Sequence, residues 1–158
     1  MPERYFQDAI PNNYCWGCGN LNQHGLHIKS RWTGEEAVCS WLPDPSHMAG
    51  PKHILNGGII ATLIDCHAVC SAIADAYRRA DRALGAAPEL WYATANLNVS
   101  YLKPTPIDRP LEVRARVTEV GAKKTVLSCS LVSAGEVRAR AEVVAVRVPE
   151  AWRNSAAS

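Results

Sequence analysis

A long apolar stretch from Ile54 to about Ala83 constrains the fold of this chain more than any other feature. It contains no proline, alanine and leucine dominate it, and its apolar side chains recur at helical spacing. Roughly its first five turns, to about Ile73, are apolar on almost every side, which is typical of a helix buried in a core. Asn56-Gly57-Gly58 stands at its start, and Gly85 is the predicted stop.

Six other segments alternate apolar and polar residues, as β-strands do. Two precede the helix as a predicted hairpin, and four follow it, the last three as a meander with turns at Gly121 and Gly135. The predicted strands are 26–32, 37–42, 91–102, 111–120, 125–132 and 137–148. One buried helix and six strands predict an α+β fold in which a single antiparallel sheet wraps around the helix.

The chain of 158 residues fits one domain. Residues 1–25 are rich in asparagine, glycine and proline, and we predict an irregular lead-in there, a single folded domain over 26–150 and a tail over 151–158. From Asn154 onwards the tail is expected to be disordered. A sheet covered by one helix leaves edges exposed, so we expect the chain to form a homodimer.

Charge and composition exclude several classes of function. A net charge of +2 is too small to indicate a nucleic-acid partner. The N-terminus lacks the apolar segment of a signal peptide, and no apolar run is expected to reach the roughly 20 residues that cross a bilayer. We therefore expect a cytoplasmic protein with no membrane partner, whose six cysteines are mostly free thiols packed as small apolar groups.

Asp65 is out of place in the apolar helix, where Ile64 and Cys66 flank it. A buried, unpaired carboxylate is strongly destabilising, so this one needs a partner or a raised pKa. Two interpretations stay open. Asp65 belongs to a structural ion pair or polar stripe, or it is a general base or nucleophile that faces a cleft at a subunit boundary.

Gly57 and Gly58 stand at the first turn of the predicted helix, where backbone N–H groups lack intrahelical partners and the helix dipole adds positive potential. Such a turn can bind a substrate oxygen and stabilise an oxyanion, or it is simply a turn with Asn56 as N-cap. Asp65 lies about 12 Å further along the helix by its rise per residue. One carbonyl could hardly reach both features in one protomer, whereas a dimer can bring them together.

Three segments resemble the hotdog-fold acyl-CoA thioesterases of the PaaI-like family. Asn56-Gly57-Gly58, followed after six residues by Asp65, is similar to the family's His-Gly-Gly signature and its aspartate. The segment Thr94–Pro104 resembles the family's strand after the helix, which ends in a similar aromatic-x-x-Pro. Residues 13–19, with Gly25-Leu26, resemble the lead-in of one branch, so the match extends over roughly 13–148.

The resemblance implies a hotdog fold, with one long central helix wrapped by a six-stranded antiparallel sheet. It implies hydrolysis of an acyl-CoA thioester, at a site that two protomers of a dimer, or of a tetramer, share. Asp65 matches the catalytic acid, the Gly57 N–H matches the group that polarises the carbonyl, and Thr94 matches a supporting hydroxyl. Gly58 is assigned to substrate binding, and no cofactor is implied beyond the coenzyme A of the substrate.

The chain departs from the family pattern at Asn56, which replaces the usual histidine. An amide can cap the helix or donate to the thioester, but it cannot carry a proton to the leaving thiol. Family members also place an asparagine or glutamine in the preceding loop, which this chain lacks between Pro43 and Leu55. His47 and His53 are the candidates to replace it.

Further residues are candidates for contacts with the substrate. Five basic side chains are candidates for the phosphates of coenzyme A, with the lysines preferred: Lys103, Lys123, Lys124, Arg78 and Arg79. Three residues around the start of the predicted strand 91–102 are candidates for the acyl pocket: Leu90, Trp91 and Tyr92.

Cys15 and Cys18, with His24 and His27 nearby, have the ligand types of a zinc site. A single Cys-x-x-Cys is a weak signal, and the lead-in that it resembles has its cysteines without an implied metal. We therefore predict no metal site, and we interpret Cys66 and Cys70 as packing residues.

Two other functions stay open. Without the histidine, the chain could be a non-catalytic acyl-CoA binding protein. Hydratases and dehydratases of acyl thioesters resemble a pattern with aspartate and histidine five residues apart, but Cys70 occupies the fifth position after Asp65. The sequence therefore favours a thioesterase.

Overall fold

The computed structural model describes residues 4–155; positions 1–3 of the predicted lead-in and 156–158 of the predicted tail lie outside this range. Within residues 4–155 there are three helices and one 3₁₀ turn: α1 Phe6–Ala9, the turn Pro45–His47, α2 Gly57–Arg79 and α3 Glu150–Asn154. The strands are β1 Arg31–Thr33, β2 Glu36–Trp41, β3 Trp91–Tyr101, β4 Leu111–Val120, β5 Lys124–Ser133 and β6 Glu136–Val148.

The strands form one antiparallel sheet in the order β1-β2-β4-β5-β6-β3. The long helix α2 packs against its central strands, and fully buried Leu63 and Ile64 meet Leu127, Leu131 and Val143 in one core. The predicted α+β architecture, one long helix against a six-stranded antiparallel sheet, is confirmed. The strand β3 lies at one edge of this sheet and has only β6 as a neighbour within residues 4–155.

Helix α2 is shorter than predicted at both ends. Ile54 and Leu55 are instead held in β-bridges to Pro106 and Met48, so the helix begins after Asn56. At the other end the chain turns at Asp81, whose φ is +52°, while the Arg82 N–H bonds back to the Tyr77 carbonyl. This closure is a Schellman motif, which ends the helix before the predicted stop at Gly85.

The first predicted strand, 26–32, is wrong over most of its length, because β1 begins only at Arg31. The alternation of Leu26 and Ile28 reflects burial against the lead-in instead. Their N–H groups bond to the Trp16 and Gly17 carbonyls, at 2.9 and 3.1 Å, and not to β2. The lead-in thus belongs to the packed structure, and it also contains the short helix α1.

Residues 150–154, which include half of the predicted tail, form helix α3. The Arg153 guanidinium lies 2.7 Å from the Glu89 carboxylate and over the Trp91 ring, which holds this helix against the start of β3. Asn154, the first residue of the segment that was expected to be disordered, is thus the last residue of this helix, and positions 156–158 of that segment lie outside the described residues.

By length and composition α2 could cross a membrane, so the expectation that no apolar run approaches that length is wrong. However, 61% of its most apolar window is buried inside the fold. The same apolar side chains fill the core under the sheet, as the periodicity of the sequence predicts.

His67 on α2 is fully buried and anchors the lead-in to the core. Its Nδ1 lies 2.8 Å from Ser30 Oγ and its Nε2 lies 3.0 Å from the Ala37 carbonyl. Buried Gln7 completes the network, because its amide donates to Ser30 Oγ and accepts from the Ser30 N–H. Burial lowers the pKa of His67 to about 4, so the ring is neutral near pH 7.

We expect His67 to make the fold sensitive to acid. Between its ordinary pKa of 6.5 and its folded pKa of about 4, only the unfolded chain binds a proton there. The free energy of unfolding should therefore fall by about 3 kcal/mol from this group as pH drops from 7 to 4. Urea unfolding at both pH values should show a smaller loss for His67→Gln than for the unchanged chain.

The exposed His53→Gln variant is the matched control, and it should keep the full pH dependence. An equal loss in His67→Gln and His53→Gln would contradict the assignment. NMR titration of the His67 ring in the unchanged chain checks the low pKa independently of either variant.

Candidate active site

The Asp65 carboxylate is paired with a hydroxyl group on the neighbouring strand. Thr94 Oγ1 of β3 donates to Asp65 Oδ1 at 2.5 Å. Asp65 has no cationic partner within 4.0 Å among residues 4–155, so a structural ion pair, one of the two interpretations from the sequence, is not formed there. Asp75 on the same helix, in contrast, pairs with Arg79 at 2.7 Å.

A β-bulge in β3 places Thr94 beside the acid. The register with β6 runs from Thr94 opposite Ala145 to Asn96 opposite Val144, which leaves Ala95 as the extra residue. Bulges change the direction of neighbouring side chains, and they are frequent next to active sites. The position of the hydroxyl group is therefore built into the backbone of the edge strand.

Burial raises the pKa of the Asp65 carboxyl above its ordinary range. The hydrogen bond from Thr94 acts in the opposite direction, because it stabilises the carboxylate, while negative charge at Cys18 adds to the rise. Thr94 thus helps to keep a half-buried acid in its ionised form. An ionised carboxylate with a raised pKa is suited to accept a proton or to attack a carbon atom.

Asp65 and Thr94 line a cavity of about 270 Å³ between α2, the start of β3 and the lead-in. Its walls are mostly apolar, and Val69, Trp91 and Tyr92 contribute to them. Two of the three predicted acyl-pocket residues therefore lie here, whereas Leu90 is buried in the core and does not line the cavity. The site combines one acid with an apolar chamber.

Asn56 is the N-cap of α2. Its Oδ1 accepts the N–H of Gly58 at 2.8 Å and that of Ile59 at 3.3 Å. The Gly57 N–H takes no part in this cap, and it has no acceptor within residues 4–155. Gly57 thus keeps a free N–H at the positive end of a long helix, whereas the Gly58 N–H is already bonded to the Asn56 cap.

Tyr101, at the end of β3, fixes the glycine turn from the other side. Its hydroxyl donates to the Gly57 carbonyl at 2.7 Å, and its ring lies where a Gly57 side chain would contact it. In the sequence, this residue is only the aromatic of an aromatic-x-x-Pro pattern. Strand β3 therefore contacts both candidate features, Asp65 through Thr94 at its start and Gly57 through Tyr101 at its end.

The basic residues predicted to meet the phosphates do not form one patch within the chain. Lys103 follows the end of β3, and its Nζ lies 2.6 Å from the Glu136 carboxylate. Lys124 lies beside Val146 in the sheet, near the start of β3, and its Nζ lies 3.6 Å from the Glu119 carboxylate. Lys123 precedes it in the turn before β5. Arg78 and Arg79 both pair with Asp75 at the far end of α2 from Gly57.

Neither histidine that was predicted to replace the missing amide reaches the helix N-terminus with its ring. The His47 ring accepts the Asp44 N–H at 3.0 Å and stacks on Trp41, so it stabilises the 3₁₀ turn. His53 lines a different depression, beside Pro104 and Ile107.

Four cysteine thiols converge next to Asp65, which the sequence did not predict. Cys15 Sγ lies 3.7 Å from Cys66 Sγ, and Cys18 Sγ lies 3.8 Å from Cys70 Sγ. Hydrogen bonds from Cys15, Cys66 and Cys70 lower the pKa of the Cys18 thiol. No disulfide links cysteines among residues 4–155, and Cys39 and Cys129 lie apart in the sheet.

Residues 52–140 match the family model of the thioesterase superfamily. The chain belongs to this superfamily. The matched segment contains the glycine turn, Asp65 and Thr94, so the candidate site lies within it. The predicted resemblance to hotdog-fold, PaaI-like thioesterases is thereby confirmed.

Individual relatives agree with this assignment. Acyl-coenzyme A thioesterase THEM4 of Mus musculus is 30% identical over 112 residues, which are 71% of this chain and 43% of that protein, so the chain spans less than half of that relative. A thioesterase superfamily protein from Shewanella loihica is 35% identical, with a TM-score of 0.63 over 81% of this chain and 96% of that one. The E. coli PaaI protein, 16% identical, shares the fold, with a TM-score of 0.63 over 78% of this chain and 81% of that one.

We expect Thr94→Val to raise the pKa of Asp65 further, because the carboxylate loses its hydrogen-bond donor while its burial is retained. A carbon-13 NMR titration of the Asp65 carboxyl measures this directly. Thr94→Ser keeps the hydroxyl and should leave the pKa close to that of the unchanged chain. An unchanged or lower pKa in Thr94→Val would show that the hydroxyl does not stabilise the carboxylate.

Proposed function

We propose that this protein hydrolyses an acyl-CoA thioester to a carboxylic acid and free coenzyme A, at a site that two protomers share. The observation that carries the proposal is the pairing of Asp65 with Thr94 on the wall of an apolar cavity. The cavity would hold the acyl group and place its carbonyl carbon beside the carboxylate. The superfamily of the chain supports this chemistry.

The reaction needs a nucleophile and a stabilised oxyanion. Ionised Asp65 either removes a proton from a water molecule that attacks the carbonyl carbon, or attacks that carbon itself to form an anhydride that water then hydrolyses. In both routes the carbonyl oxygen becomes negative, and the free Gly57 N–H stabilises it together with the dipole of α2. The C–S bond then breaks, and coenzyme A leaves with the sulfur.

The acid and the oxyanion donor must come from different chains. Within one chain they are separated by eight residues of α2, or about 12 Å along the helix axis, which is too far for one carbonyl group. Asp65 lies beside the start of β3 and Gly57 beside its end. A second copy whose β3 pairs antiparallel to the first would bring each Asp65 towards the partner's glycine turn.

The exposure of β3 supports this arrangement. It is an edge strand of eleven residues, and all of its side chains from Thr94 to Tyr101 are exposed or half-buried. A long open edge is a ready template for pairing with another chain. Leu97 and Val99 are only partly buried in the isolated chain, and pairing would cover them. We therefore propose a homodimer through β3, which could assemble further into a tetramer.

The replacement of histidine by Asn56 is compatible with hydrolysis. A thiol ionises at a pKa of about 8.5, so coenzyme A can leave as a thiolate without a proton donor. Asn56 uses its Oδ1 for the helix cap, which orients the turn so that the Gly57 N–H stays free. We therefore assign Asn56 a positioning role, in a cytoplasmic enzyme that needs no cofactor beyond its substrate.

Two other functions make different predictions. A non-catalytic binding protein would hold acyl-CoA without releasing free coenzyme A. A hydratase would need a second proton-transferring group near Asp65, and the residue five positions on, Cys70, contacts Cys18 instead. The same assay separates all three functions, because only hydrolysis releases a free thiol.

We expect Asp65→Asn to lower kcat for coenzyme A release by about 100-fold or more, because it removes the base or nucleophile. Free thiol released from a panel of acyl-CoA esters is the measurement. Asp81→Asn is the matched control, since Asp81 is an exposed turn residue with positive φ that asparagine tolerates. Full activity in Asp65→Asn would exclude the proposed mechanism.

Gly57→Pro tests the oxyanion donor, because proline removes the N–H and is well tolerated at the first position of a helix. Asn56 already has the extended backbone that a following proline requires, with φ −58° and ψ 132°. We expect about a 100-fold loss of kcat with a native circular dichroism spectrum. Gly57→Ala keeps the donor and should retain most of the activity.

Mixing the two inactive chains tests whether the site is shared. A heterodimer of Asp65→Asn with Gly57→Pro contains one site with both changes and one intact site. Random mixing should therefore restore about a quarter of the unchanged activity, since half of the dimers are mixed. If each site lay within one chain, both sites of the heterodimer would be defective and mixing would restore nothing.

A further inference from the structure

We propose that the thiols of Cys15, Cys18, Cys66 and Cys70 form a zinc site that fastens the lead-in to α2 beside Asp65. Three of the sulfurs, those of Cys15, Cys18 and Cys66, lie within 4.8 Å of one another. The fourth, Cys70 Sγ, lies 3.8 Å from Cys18 Sγ. Zinc in proteins is commonly bound by four such sulfur ligands in a tetrahedron.

The distances between the sulfurs fit a metal better than a disulfide. Zinc–sulfur bonds of about 2.3 Å in a tetrahedron place neighbouring sulfurs about 3.8 Å apart. The Cys15–Cys66 and Cys18–Cys70 pairs are 3.7 and 3.8 Å apart. Disulfide sulfurs are only about 2.05 Å apart. Each of these two pairs thus stands at the spacing of one edge of a zinc tetrathiolate.

The sequence supplies these ligands as two short motifs on separate elements. Cys15-x-x-Cys18 lies in a tight turn, which the Gly19 N–H closes by bonding to the Cys15 carbonyl at 2.7 Å. Cys66 and Cys70 are four residues apart on α2, so they project from one face of the helix, as paired zinc ligands on helices do. Each motif contributes two sulfurs to the same cluster, in which Cys15 lies next to Cys66 and Cys18 next to Cys70.

Two glycines make the approach of the motifs possible. A side chain at Gly17 would come within 2.3 Å of Cys66 Sγ, and one at Gly19 would come within 2.5 Å of the backbone of the same turn. A side chain at Gly17 would push the turn away from α2, and one at Gly19 would distort the turn itself. The chain is therefore shaped to bring these thiols together, beyond the packing role that the sequence indicated for Cys66 and Cys70.

The surroundings suit bound thiolates. Cys18, Cys66 and Cys70 are buried, and the buried amide of Asn13 donates to Cys18 Sγ at 3.6 Å. Hydrogen bonds of this kind orient metal ligands and hold their charge. The sequence also offers His24 and His27 as ligands beside Cys15 and Cys18. Neither histidine lies close enough to join the three mutually close sulfurs.

Four protein ligands leave no open position on the metal, so the site is structural and not catalytic. The same four cysteines line the cavity that contains Asp65. The metal would therefore fix one wall of the acyl chamber and the helix turn that follows the acid. Zinc would cross-link the lead-in to α2 without disulfides, which a reducing compartment does not maintain.

Zinc binding to the full-length, reduced chain tests the proposal. We expect one zinc per chain by metal analysis after incubation with zinc chloride and gel filtration. Cobalt in its place should show the intense visible bands of tetrahedral coordination and a strong sulfur-to-metal charge-transfer band. Removal of zinc by a chelator should lower Tm, and Asn13→Ala should weaken zinc binding about tenfold.

Cys18→Ala removes the central sulfur and should abolish stoichiometric zinc binding. Cys129→Ala is the matched control, because Cys129 is an equally buried thiol in the sheet, and it should bind zinc like the unchanged chain.

The proposal is overturned if the unchanged chain binds no zinc, if Cys18→Ala binds it equally well, or if the cobalt spectrum lacks sulfur charge transfer. Disulfides between Cys15 and Cys66 and between Cys18 and Cys70 in the isolated protein would also overturn it. The cobalt spectrum of the unchanged chain decides the case even if Cys18→Ala does not fold.

Discussion

The hydrogen bond from Thr94 to Asp65 joins the two elements on which the site depends. The helix α2 is apolar because it fills the core, so a carboxylate on it is destabilised unless something supports its charge. The support comes from β3, and a bulge at Ala95 sets its position. The acid is thus held half-buried, against an apolar cavity, in a form that can react with a thioester.

Strand β3 also supports the proposal that the site needs two chains. Its start contacts Asp65, its end contacts Gly57 through Tyr101, and its outer edge is open. An antiparallel pairing of this edge with a second copy reverses the order of the two contacts. The proposed enzyme therefore depends on an edge strand that positions two catalytic features for sites on opposite sides of a dimer axis.

The sequence predicted those parts of the structure that follow from local periodicity and from motif spacing. The helix, five of the six strands, Asp65 and the glycine turn could be read from the chain, because burial and backbone geometry impose regular patterns on it. The first strand was misread, since Leu26 and Ile28 alternate through contacts with Trp16 and Gly17 that are remote in sequence. The meeting of two cysteine motifs likewise depends on tertiary packing, which spacing alone does not contain.

The central claim is that the acid and the oxyanion donor of each site belong to different chains. A crystal structure of the Asp65→Asn variant with an intact acyl-CoA ester bound tests it most directly. We expect the thioester oxygen within hydrogen-bond distance of the Gly57 N–H of one protomer, and the substituted side chain of the other protomer beside the carbonyl carbon. A thioester that contacts both positions within one protomer, or neither of them, would contradict the account.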